Sequence, residues 1–200
     1  MNRLLLLLFL SLPAWANDGV LDEFWRETKT FSASFVQVTV NEDQAQTQKR
    51  EGKVAFSRPG RIYWKYTTPP ETIVADGNTL WIYDEELATV TRQGLDQALA
   101  AAPLALFAGE KVERFFRIEQ EKEKEGVLFY RLTPKSPEDS SYKAVWVGFC
   151  QKSLCRLAFD DGFGNKTTVF FSQVKVNPPL DGSLFRFSPP KGVDVIDGRG

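Results

Sequence analysis

Residues 72–84 read TIVADGNTLWIYD. Two short runs of β-branched and aromatic residues, Thr72 to Ala75 and Leu80 to Asp84, flank Asp76-Gly77-Asn78, whose Gly and Asn accept a positive φ. That is the signature of a β-hairpin. Working outward, the same pattern recurs at short, regular intervals: Lys53 to Ser57 and Arg61 to Tyr66 before it, then Val127 to Thr133, Tyr142 to Cys150, Cys155 to Asp160, Lys166 to Val176 and Leu184 to Ser188. Even spacing with turn residues between predicts an antiparallel sheet curling into a barrel or half-barrel.

Two stretches depart from this. Asp18 to Thr30 places Val20, Leu21, Phe24 and Trp25 at helical spacings behind a possible cap at Asp18, which predicts one amphipathic helix. From Phe31 the period becomes two, with Phe31, Ala33 and Phe35 on one face and Val36, Val38 and Val40 on the other, as expected of a strand covered on both sides or bordering a cavity. Residues 95–109, LDQALAAAPLALFAG, are the second departure. From Ala98 to Ala108 no side chain is charged or hydrogen-bonding, so this segment must be covered on every side. Pro103 splits it into two short helices. They are either a hairpin of core helices or a lid over an apolar cavity.

Met1 to Ala16 combines a basic Arg3, an apolar run from Leu4 to Leu12 and Ala14-Trp15-Ala16, the small-x-small form that precedes cleavage of an export signal. The run is too short for the roughly 20 residues that a membrane span requires. We therefore expect a leader, residues 1–16, removed from a single domain of residues 17–200. The 25 Lys and Arg nearly balance 26 Asp and Glu, so the basic stripe a nucleic-acid binder needs is missing.

The chain has no histidine, which removes the usual general base and zinc ligand and with them Ser-His-Asp and Cys-His chemistry. Asp160-Asp161-Gly162-Phe163-Gly164-Asn165 lacks the calcium-loop spacing and reads as a turn, while Glu119 to Glu125 reads as a solvated hairpin end. Cofactors and metals are not expected. In an exported protein, Cys150 and Cys155 form a disulfide candidate across the loop Gln151-Lys152-Ser153-Leu154; without a Cys-x-x-Cys spacing, a structural staple is favoured over a redox role.

Several motifs taken in order carry a resemblance: Ser32-Ala33-Ser34-Phe35 with Gln37, Arg58-Pro59 followed by Trp64, the run from Thr68 to Asp84, Ala102-Pro103, Leu132-Thr133-Pro134-Lys135, and Phe187 to Val193. Together they resemble the bacterial outer-membrane lipoprotein carrier (LolA) family. The resemblance implies a mainly β fold with some α: an unclosed antiparallel half-barrel of about eleven strands, its apolar cavity covered by a three-helix lid. It implies a soluble monomeric carrier, not an enzyme, that takes acylated lipoproteins from an inner-membrane ABC transporter and delivers them through the periplasm to a receptor lipoprotein of the outer membrane. It places the lid-closing arginine at Arg58, donating to backbone carbonyls near Leu106, Phe107 and Ala108. Leu21, Trp25, Ile62, Trp64, Leu104 and Phe107 are the candidate lining for acyl chains, with plain core packing the competing account for each. The two cysteines fall outside the family pattern. A carrier or sensor of another amphiphile, a glycolipid or phospholipid, is the alternative within the binding class, and a hydrolase using paired carboxylates is the alternative among enzymes.

Overall fold

The computed structural model describes residues 19–43, 45–96, 98, 107 and 112–198. Helix α1, Val20–Glu27, buries Leu21 and Phe24 and carries Asp22 and Glu23 in its first turn and Arg26 in its last, the charge order that its dipole favours. Gly19 occupies the cap position; the expected cap, Asp18, and the leader lie outside the described residues.

Behind α1 the described residues form one sheet of twelve strands. In chain order they are β1 Thr30–Val40, β2 Gln46–Ser57, β3 Arg61–Tyr66, β4 Glu71–Asp76, β5 Thr79–Asp84, β6 Thr89–Gly94, β7 Phe116–Gln120, β8 Leu128–Pro134, β9 Ala144–Cys150, β10 Ser153–Asp160, β11 Lys166–Val176 and β12 Asp194–Asp197. Among the described residues the spatial order is β12-β6-β5-β4-β3-β2-β1-β11-β10-β9-β8-β7, so β12 and β7 are its edges and the sheet does not close. Every pairing is antiparallel except β12 with β6. Meanders of this kind need only short turns. The expected hairpin at residues 72–84 is β4–β5, where Asp76 Oδ1 accepts the backbone N–H groups of Asn78 and Thr79 and Gly77 takes φ 107°.

Four features correct the sequence reading. β6, β7 and β12 were not foreseen, and β2 begins at Gln46 rather than Lys53. These segments are polar or lie at an edge, so their alternation is weak; in β6 only Val90 is fully buried. Leu184 to Ser188 is not a strand. Gly182–Phe185 forms a 3-10 turn whose entry is capped by Asp181 accepting the N–H of Ser183, and Phe187 then packs on Trp81 and Tyr83 of β5 at 5.7 and 5.8 Å between ring centroids. The prolines flanking this segment, Pro178-Pro179 and Pro189-Pro190, remove donors that a ladder would need. The three-helix cover is not shown. Leu95, Asp96, Ala98 and Phe107 are helical, while the rest of residues 95–109 lies outside the described residues.

The inner face of the sheet carries the core: Phe31, Ala33 and Phe35 of β1, Val54 and Phe56 of β2, Ile62, Trp64 and Tyr66 of β3, with Phe149 and Phe171 from β9 and β11. The other face of β1, Val36, Val38 and Val40, is only half-buried. Cys150 and Cys155 are joined by a disulfide with Cα atoms 5.7 Å apart. The turn that connects them is tighter than the four-residue loop expected. Cys150 pairs with Ser153 across Gln151-Lys152, both at positive φ, and the register shifts between Leu154 and Arg156, so Cys155 sits in a bulge. A bond closing so short a loop contributes about 2 kcal/mol in the chain-entropy account. Replacing both cysteines by serine is expected to lower the urea-unfolding free energy by about that amount without altering ligand binding.

Candidate functional site

The alternation of β1, β2 and β3 aims large rings at a common centre. Phe31 and Phe56 stack at 5.2 Å and 8°, Phe24 of α1 meets both edge-on at 6.4 and 6.2 Å, and Phe35 lies 4.5 Å from Trp64. Phe107 closes over this floor, 5.3 Å from Phe56, 6.2 Å from Trp64 and 6.5 Å from Phe171. Trp64 is 4% exposed and Phe107 1%. Edge-to-face rings gain from their quadrupoles as well as from burial, by about 0.5–1.5 kcal/mol per pair.

At one end of the cluster stands Arg58, in the turn between β2 and β3. Its Nη1 donates to the carbonyls of Phe24 and Trp25, and its guanidinium lies 5.2 Å from the rings of both Phe24 and Phe56. The Phe24 carbonyl also accepts the N–H of Thr28, whereas Trp25 O lies in the last turn, where carbonyls run out of partners within the helix and favour a cation, so Arg58 is matched to the end of α1 in both hydrogen bonding and charge. Burial lowers its pKa to about 10, which still leaves it cationic at neutral pH. Asn177 anchors the same helix end: its Oδ1 accepts from Lys29 N and Thr30 N, and its Nδ2 donates to Glu27 O.

The opposite end of the inner face is polar. Arg50 lies 3.4 Å over the Tyr66 ring, its Nη2 donates to Glu71 Oε2 and to Pro69 O, and the Tyr66 hydroxyl donates to Gln37 Oε1. Burial pushes the Tyr66 hydroxyl up to about 12, against the pull of Arg50, so it stays protonated. A separate cleft of about 640 Å³ opens on the outer face, lined among others by Ser32, Ser34, Lys53, Tyr63, Leu180 and Leu184. Among the described residues no group of three or more Cys, Asp or Glu side chains is placed to hold a metal ion.

The sequence profile described as outer membrane lipoprotein carrier protein LolA matches residues 26–188. The chain belongs to the LolA family. An outer-membrane lipoprotein carrier protein of Chromobacterium violaceum is 38% identical over 94% of this chain and 92% of its own length, and one of Neisseria gonorrhoeae is 35% identical over 92% and 89%. Among solved structures, an uncharacterized conserved protein of Thermus thermophilus aligns with a TM-score of 0.55 at 13% identity, over 90% of this chain and 97% of that one, a likeness of fold.

Of the residues that the LolA resemblance singled out, Leu21, Ile62, Trp64 and Phe107 converge in one aromatic and aliphatic cluster, with Trp25 packed at its margin. Leu104, Leu106 and Ala108 lie outside the described residues. The described side-chain bonds of Arg58 run to α1, which sequence reasoning had not foreseen as its partner. Phe24, Phe31 and Phe35 were read on apolar faces but not named as lining; Phe56 and Phe171 were not singled out although strand alternation marks them, and nothing local marks the group around Arg50. Among the described residues, no helix of this LolA chain is long and apolar enough to cross a membrane.

Proposed function

We propose that the protein is a periplasmic carrier of acylated lipoproteins, sheltering their fatty chains against the aromatic inner face of its sheet. One observation carries this reading: rings from α1, from five strands and from Phe107 meet at a single surface, beside which Arg58 hydrogen-bonds the end of α1. At about 0.8 kcal/mol per methylene, a sixteen-carbon chain in water costs on the order of 10 kcal/mol, and three chains on the order of 30. A carrier therefore needs apolar surface that is hidden when empty, because a large exposed patch invites aggregation.

In this reading the leader is removed after Ala16, the mature monomer receives cargo from an inner-membrane ABC transporter, and a receptor lipoprotein of the outer membrane takes it over. Arg58 is the closing residue. It draws the end of α1 down over Phe56, and the segment from Leu95 to Gly109 with Phe107 completes the lid. Leu21, Trp25, Ile62, Trp64, Leu104 and Phe107 become the lining once that lid lifts.

The test is competition. A fluorescent hydrophobic probe is expected to bind the empty protein and to be displaced by a triacylated lipopeptide roughly a hundredfold or more better than by the same peptide without acyl chains. Equal displacement by the two peptides would refute the carrier reading, and displacement by diacyl phospholipid but not by lipopeptide would move it to another amphiphile.

A further inference from the structure

The inner face is not uniformly greasy. Among its rings, Trp64 Nε1, whose polar neighbour is the Tyr66 hydroxyl, and Arg50 Nε are buried without a partner at full hydrogen-bond geometry. Trp64 is 4% exposed and the Arg50 side chain 11%. Tyr66 stands between them, its ring 3.4 Å from the Arg50 guanidinium and 6.2 Å from the Trp64 ring. An unpaired buried donor is costly, and two on one face of one binding surface call for an acceptor that arrives from outside.

The neighbouring groups define that acceptor. The Tyr66 hydroxyl is already committed to Gln37, and the carboxylate of Glu71 already offsets the charge of Arg50. What remains available is a pair of N–H groups in surroundings close to electrical neutrality. Such a pair disfavours a carboxylate or phosphate, which would crowd Glu71, and offers nothing to a cation. It suits an uncharged oxygen. In an acylated glycerol that oxygen is the ester carbonyl, which marks the point where the tail joins the polar head. The site lies in a matching place, where the ring cluster around Phe35 and Trp64 gives way to the polar group of Arg50, Gln37 and Glu71.

Building on the carrier reading above, we propose that Trp64 Nε1 and Arg50 Nε form a carbonyl-reading subsite that receives acyl-ester oxygens, fixing how deep the chains are drawn in. The carrier then recognises the ester linkage as well as the hydrocarbon. Entry requires Phe107 to leave the Trp64 ring, 6.2 Å away between centroids.

The experiment compares two lipopeptides of equal chain length by probe displacement, one with ester-linked and one with ether-linked chains, on the wild-type protein and on Trp64→Phe/Arg50→Met. The wild type is expected to prefer the ester by about tenfold, the weight of a hydrogen bond to a buried donor. The double variant is expected to lose the preference, binding ester and ether equally whatever its affinity for either. Equal wild-type affinity for ester and ether overturns the subsite whether or not the variant folds, and so does a preference that survives the double substitution. Failure of both lipopeptides to bind overturns the carrier reading itself. A diester phospholipid bound with the same ester preference, where lipopeptides are not, keeps the subsite and changes the cargo.

Discussion

Arg58→Leu is expected to leave the sheet folded and to trap cargo on the carrier, with transfer to the receptor reduced at least tenfold. Each bond from a guanidinium to a carbonyl contributes about 1.5–3 kcal/mol. Loss of the two to Phe24 and Trp25, partly offset by water reaching the freed carbonyls, shifts the balance from covered to open by about 3 kcal/mol, or roughly 150-fold. Handover depends on that balance. On the carrier reading, re-forming the Arg58 bonds and the contacts of Phe107 in the wild type would compete with the fatty chains for the same rings, so that closure would help to expel them. Without the latch the chains face no competitor, and uptake proceeds while release fails. The measurement is the fraction of a fluorescently acylated lipoprotein passed from the carrier to receptor-bearing vesicles. A second readout follows: empty Arg58→Leu protein should bind more hydrophobic probe than wild type. Arg58→Lys should be intermediate, because an ammonium neither forks between two carbonyls nor lies flat against Phe24 and Phe56 as a guanidinium does. Unchanged transfer by Arg58→Leu would take this residue out of the mechanism.

The legibility of this molecule follows burial. The hairpin of residues 72–84 could be read because Ile73, Val74 and Ala75 answer Leu80, Trp81 and Ile82 across a turn whose chemistry is local. Where strands meet solvent the pattern fades. β12, Asp194–Asp197, is exposed along its whole length, and the stretch of β2 before Gly52 is almost as open. Conversely, Leu184 to Ser188 alternates like a strand because Phe185 and Phe187 are anchors on the outer face, not because a ladder is available. At the site, the identity of the rings was in the sequence but their meeting was not. Arg50 reaches Tyr66 and Glu71 only through the registers Gln37 with Arg50, Gly52 with Tyr66 and Tyr66 with Glu71, three pairings that no local signal specifies. Arg58 is the converse: family resemblance marked it, and the structure supplies α1 as a partner that spacing could not suggest.

Gly52→Ala is expected to be the most damaging of the small substitutions. A methyl group added there would lie 1.9 Å from the carbonyl oxygen of Lys65, 2.8 Å from its carbon and 2.9 Å from Cζ of Phe35. Two of these neighbours are backbone of the adjacent strand, so no side-chain rotation relieves the clash. β3 must move away from β2, or Phe35 must leave its place against Trp64 and Tyr66, and either change loosens the floor on which the ligand would lie. Glycine inside a strand ordinarily weakens it, and its presence here reflects the close approach that brings β3 over β2 and lets the sheet coil around its rings. The expected loss is about 3 kcal/mol or more, read as a lower urea midpoint. Gly182→Ala is the matched control, since a Cβ there meets nothing within 4 Å, and it should shift stability by no more than about 0.5 kcal/mol. The contrast also bears on function. If the packing of β2 against β3 sets the position of Arg50 relative to Trp64, any Gly52→Ala protein that remains folded should lose ester-over-ether selectivity before it loses affinity for the hydrophobic probe. A Gly52→Ala variant with wild-type stability and selectivity would mean that the two strands are not held this closely, and that the inner face owes its shape to the rings alone.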